Sequence, residues 1–198
     1  MNIIIAAILA APFLTNGANP DKEGKEAVEA FKAVYFAEHA EEIERVVAIQ
    51  RLASTPHMST ARMLGQLLFT APSAHQVEAA IALHGFYEIR GTSILASAAL
   101  LAPASLEKTE LRIALIQTLG SLQKLGSLPI LHQLITDTDL PVALAAIKTI
   151  PLFERGESLA ILLHGSREAA RKGDGKSLQR RIALQEALSD LRDNLDRR

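Results

Sequence analysis

The chain has 198 residues, 48% of them hydrophobic and 22% charged, with no cysteine, no tryptophan and a formal net charge of −1. The apolar fraction excludes a disordered chain, and the missing cysteine excludes disulfide scaffolds, thiol catalysis and Cys-ligated zinc. The near-neutral balance supplies no basic field of the kind that general nucleic-acid binders use. Alanine (32 residues) and leucine (30) make up much of the apolar content, a composition suited to packed helices.

The first segment, Ile3 to Leu14, is an apolar run broken only by Pro12. As a helix it would rise about 18 Å, short of the roughly 30 Å hydrocarbon core of a bilayer, so no membrane span is expected. Small and polar residues come next, Thr15-Asn16-Gly17-Ala18, and then a charged stretch. That order predicts a signal peptide over 1–18, and with it export to the periplasm or extracellular space, although Met1-Asn2 carries no basic side chain. The alternative is a buried first helix of a cytoplasmic protein.

An acidic capping helix is expected over 19–40. Within residues 19–44, three lysines face eight carboxylates, a net of −5. Phe31 and Tyr35 fall on one face (i, i+4), with Phe36 beside them, and are read as the anchor of this helix to the first repeat of the body.

From 41 to 165 helical segments alternate and small residues mark the same places. Gly85 and Gly91 are six apart, as are Gly120 and Gly126, 35 residues later; Ile150 and Gly156 form a looser copy, and Ala53 and Ser59 an earlier one. Two helices per unit at this period indicate an all-α fold, an α-solenoid of about four helical hairpins with capping helices at both ends. The first glycine of each pair is expected to end a helix in the left-handed conformation and the second to relax the turn. Helix starts are read at Val77–Leu83, Leu111–Ile116 and Val142–Ile147, and second apolar faces at Ile94–Ala102 and Leu128–Ile135.

Leu119-Gly120, Gly126-Ser127-Leu128-Pro129-Ile130-Leu131 and Leu134-Ile135-Thr136-Asp137-Thr138-Asp139-Leu140-Pro141-Val142, with Ala145-Ala146-Ile147 after them, resemble consecutive HEAT-like repeats of the short form also seen in phycobilisome lyases. In that family an acidic residue follows the second helix and a hydrophobic–Arg pair opens the next repeat. Asp137 and Asp139 match the first position and Leu111-Arg112 the second, whereas Glu78 and Ala143 stand where Arg is expected. The resemblance covers about 125 residues and implies a binding surface made by stacked hairpins.

Residues 166–181 carry six basic side chains against Glu168 and Asp174, and 166–176 is read as a basic linker. A C-terminal capping helix is expected over 177–198, with Ser177 as N-cap and Leu184, Leu188, Leu191 and Leu195 on one stripe. The acidic head and basic tail also admit head-to-tail self-association.

Local chemistry is sparse. The six histidines (39, 57, 75, 84, 132, 164) show no metal-ligand spacing; His84 and His164 each precede a glycine and are read as bonding carbonyls at helix ends. Gly175-Lys176-Ser177 lacks the upstream glycine of a phosphate loop, Ala170 standing there instead. No cofactor, metal or catalytic constellation is therefore expected. The reading is an exported, non-catalytic scaffold that binds a protein partner, with Arg90, Arg112, Lys124, Lys148 and Arg155 as contact residues. The alternative implied by the repeat subtype is a lyase, or lyase-like chaperone, acting on a tetrapyrrole-binding protein.

Overall fold

The computed structural model describes residues 20–172 and 175–196; the apolar run Ile3–Leu14 and the reading of 1–18 as a signal peptide lie outside them. Ten α-helices account for most of the described residues, and none of these residues forms a strand: α1 (Pro20–Tyr35), α2 (Glu42–Ala53), α3 (Met58–Thr70), α4 (Ser73–Ala82), α5 (Thr92–Leu101), α6 (Thr109–Leu122), α7 (Leu128–Leu134), α8 (Leu140–Thr149), α9 (Gly156–Lys172) and α10 (Gly175–Asp196). No described helix is long and apolar enough to cross a membrane.

The helices pack in consecutive pairs, α1 on α2, α3 on α4, α5 on α6, α7 on α8 and α9 on α10. A second set of contacts joins α2, α4, α6, α8 and α10 into one continuous row, while α1, α3 and α5 succeed one another beside it. The seven-residue α7 packs on α9 but makes no more than a marginal contact with α5. Fully buried Ile49, Leu52, Leu64, Leu83, Leu115, Leu119 and Leu131 contribute to a core that extends along the interface. Removing each such side chain from water contributes about 1.5–3 kcal/mol.

The pairing phase differs from the one read in the sequence. The turns marked by Gly85–Gly91, Gly120–Gly126 and Ile150–Gly156 join one pair to the next; partners within a pair are joined by 71–72, 102–108 and 135–139. Helix-stop signals show where a helix ends but not which neighbour it packs against. The terminal helices pack in the same way, α1 on α2 and α10 on α9. Phe31 and Tyr35 do anchor α1, buried and stacked with ring centroids 4.8 Å apart, whereas Phe36 is exposed.

Left-handed backbone occurs at Gly91 (φ 88°), Gln123 (φ 48°) and Glu154 (φ 46°), one residue in each of the last three links, 32 and 31 residues apart. Gly85 and Gly120 are not left-handed, contrary to the expectation. Gly120 is needed for a different reason: a Cβ there would lie 2.6 Å from Thr149 Cγ2, so α6 and α8 can meet only without a side chain.

The basic linker over 166–176 is also corrected. Residues 166–172 are the second half of α9, with Ala169 buried and Arg171 bonded to Glu168 at 2.8 Å on the outer face. A charged helical face has the composition of a linker, and only its buried stripe distinguishes the two. Ser177 lies inside α10, buried, rather than capping it. Leu184 and Leu191 are fully buried, Leu188 packs partly on the core and Leu195 is exposed.

Candidate functional site

The even-numbered helices run in the same direction, because like ends meet like ends. Near their C-termini, the Thr118 hydroxyl donates to the Ala80 carbonyl at 2.7 Å. At their N-termini, Lys108 Nζ donates to Gln76 Oε1 at 2.9 Å. The row therefore has two edges of different character. One gathers the N-terminal ends of the helices, and the other gathers their C-terminal ends with the links that leave them.

The N-terminal edge is a polar ladder. At its start, the buried His75 of α4 has Tyr35 Oη 2.8 Å from Nδ1 and Glu42 Oε1 2.8 Å from Nε2, the latter an ion-pair distance outside hydrogen-bond alignment. Burial raises the Tyr35 hydroxyl above its ordinary pKa; the charge of Arg45 lowers it, and that of Glu42 raises it again. The next rung is Gln76, whose amide also donates to the Leu68 carbonyl at 3.0 Å.

The strongest rung is Arg112 of α6 with Asp137, in the turn before α8. The guanidinium grips both carboxylate oxygens, and Asp137 Oδ1 also accepts the Asp139 backbone N–H at 2.9 Å. Arg180 of α10 bonds the Asp137 carbonyl, while Thr109 donates to Asp139. Burial would raise the Asp137 carboxyl, but the Arg112 hydrogen bonds, the Asp139 N–H and the charges of Arg112 and Arg180 together hold it below its ordinary value. Such a two-toothed pair is strong because its geometry is fixed and water is largely excluded.

This edge accounts for two sequence readings. Arg112 is only 4% exposed, so it is not a surface contact for a partner; its length and fork geometry serve the interior. Gln76, and not Glu78, is the fourth residue of α4, as Arg112 and Ala143 are the fourth residues of α6 and α8. Gln76, Arg112 and Ala143 are all buried.

The C-terminal edge is the candidate surface. Its last three links each present an exposed apolar residue beside an exposed base: Tyr87 (55% exposed) with Arg90, Leu125 (50%) with Lys124, and Leu152 (48%) with Arg155. Lys148 is exposed one turn before Leu152 and lines a cleft of about 250 Å³ with Pro151, Ala183, Glu186, Ala187 and Asp190. Thus four of the five predicted contact residues, Arg90, Lys124, Lys148 and Arg155, sit along one edge, and Arg112 sits on the other. Glu88 and Glu157 are exposed on the same edge, which carries both signs of charge. The apolar members were missed because single exposed residues such as Tyr87, Leu125 and Leu152 have no periodicity to flag them.

Two histidine readings change as well. His84 sits in the 83–91 link, where burial lowers its pKa, opposed by the backbone of Ala114 in α6. His164 lies in the middle of α9, and its glycine neighbour serves packing: a Cβ on Gly165 would come within 3.0 Å of Ile135 Cγ2. His164 faces His132 of α7, with Nδ1 of the former 3.4 Å from Nε2 of the latter. No cluster of three or more His, Asp or Glu able to hold a metal occurs among the described residues.

Neither a protein-family model nor a curated protein matches this chain.

Proposed function

We propose that this protein is an exported, non-catalytic HEAT-like α-solenoid that binds another protein along the edge formed by its inter-pair links. The observation that carries the reading is the repetition in those links: one left-handed residue, one exposed apolar side chain and one exposed base, three times over. The parallel row of even helices supports the solenoid, since each new pair adds the same edge at the next position. An apolar side chain with a base beside it suits a partner whose apolar patch is bordered by carboxylates, because the charge selects and the buried apolar contact holds.

A photo-crosslinking amino acid placed in turn at Tyr87, Leu125 and Leu152, with Glu110 on the opposite edge as control, tests this reading in the protein's native source. One partner captured from the three link positions, absent from the control and lost when Arg90, Lys124 and Arg155 are changed together to Glu, supports it. Equal capture from both edges, or none from the links, refutes it. A crosslink to a second copy of the chain would make the partner a copy of itself, in keeping with the acidic head and basic tail. Export is tested separately by fractionation and by sequencing the mature N-terminus, which should begin near residue 18 or 19.

A further inference from the structure

We propose that His132 and His164 form a binding site for a divalent transition-metal ion of the zinc, nickel and copper class. The two residues come from the last turn of α7 and the middle of α9, 32 residues apart in the chain, and their rings stand at 89° with centroids 5.3 Å apart. The facing nitrogens are 3.4 Å apart. That is long for a nitrogen-donated hydrogen bond, whose usual separation is about 2.9–3.0 Å. It is the separation expected of two imidazole nitrogens on one tetrahedral ion: bonds of about 2.0–2.1 Å at the tetrahedral angle place the ligand atoms about 3.3–3.4 Å apart.

The setting suits such an ion. His164 is exposed and His132 half-buried, so water can enter and complete the coordination. Imidazole nitrogen selects zinc, nickel and copper over magnesium and calcium, which prefer oxygen. Glu168, one turn further along α9, is held by Arg171 at 2.8 Å. Two imidazoles therefore hold the ion, and its remaining positions stay open to water or to a ligand from outside.

The ion would bridge α7 to α9. Because α7 is only seven residues long and barely touches α5, this bridge fastens the least supported helix of its row to the last pair.

The test uses the full chain, stripped with a chelator, and zinc chloride. Calorimetric titration should give one ion per chain, and zinc should raise Tm while magnesium leaves it unchanged. His132→Ala and His164→Ala should each weaken binding by about tenfold or more and abolish the Tm shift, whereas His39→Ala should bind as the parent does. Copper should broaden the ring signals of His132 and His164 first in the NMR spectrum. Circular dichroism in chelator checks that the variants keep the parent's helix content. Zinc binding unchanged in either variant, broadening centred on other histidines, or no binding at millimolar zinc would overturn the proposal.

Discussion

The two edges of the even-numbered row are made by the same five helices, yet they use polar residues in opposite ways. At the N-terminal edge the buried Arg112, Gln76 and His75 each bond a neighbouring segment, Arg112 to Asp137, Gln76 to Lys108 and His75 to Tyr35. At the C-terminal edge Arg90, Lys124, Lys148 and Arg155 point outward beside exposed apolar residues. A charge drawn into the interior must be paired, and the pairing then fixes which helix stands next to which. A charge left on a link fixes nothing about the fold and is free to meet something else.

The largest difference between the edges should appear on truncation. Arg112→Ala leaves Asp137 short of its main partner and should cost about 3–5 kcal/mol, whereas Arg155→Ala should cost about 0.5 kcal/mol or less. Urea denaturation of the two variants measures both. Equal costs would mean that the ladder does not hold the pairs together.

Next comes backbone proximity. Gly120→Ala forces a methyl group against Thr149 and should cost about 1–3 kcal/mol, while Gly126→Ala meets no atom within 4 Å and should be near neutral. Thermal unfolding distinguishes them, and a neutral Gly120→Ala would show that α6 and α8 are not in close contact.

The edges should also titrate apart. Unfolded His84 gains its proton around the ordinary value of 6.5, whereas the folded residue resists protonation to lower pH. In between, the unfolded state binds more protons, so stability falls as pH drops below that value. Asp137 gives the same sign in a more acidic window: its unfolded value is near 3.8 and its folded value lower, so its stabilisation is lost as pH falls below 3.8. Denaturation across pH should lose the first component in His84→Gln and the second in Asp137→Asn. A parent curve with the same acid slope as Asp137→Asn would show that the ladder carboxylate is not held ionised by its partners.

The smallest effect is expected at a link. Gln123 occupies left-handed backbone that glycine tolerates without strain, and the relief is partly offset by the greater freedom of glycine when unfolded. Gln123→Gly should gain about 0.5 kcal/mol, seen as a small rise in Tm. A loss of stability would mean that the Gln123 side chain contributes to the link in a way its exposure does not suggest.

Much of this fold could be read before any coordinates. Leu111, Leu115, Leu119, Val142 and Ala146 are buried where the helical period places them. Arg112 and Asp137 were each picked out by the family pattern, but nothing in their 25-residue separation says that they meet. The same holds for His132 and His164, whose contact is invisible to any search for ligands within one helix. Arg167 and Arg171 led to a linker where α9 continues, because charge density is shared by linkers and by the wet face of a helix.

By itself the sequence determined that the described chain is helical, where most of its helices start and stop, and which side of each is apolar. These properties depend on residues within a few turns of one another, so periodicity and helix-end chemistry express them directly. Which helix pairs with which, which edge buries its charges and which presents them, and which histidines face each other were decided only by tertiary structure. Each depends on contacts between segments roughly 25 to 40 residues apart, where the energy comes from packing and from removing charge from water, and neither leaves a local pattern in the chain.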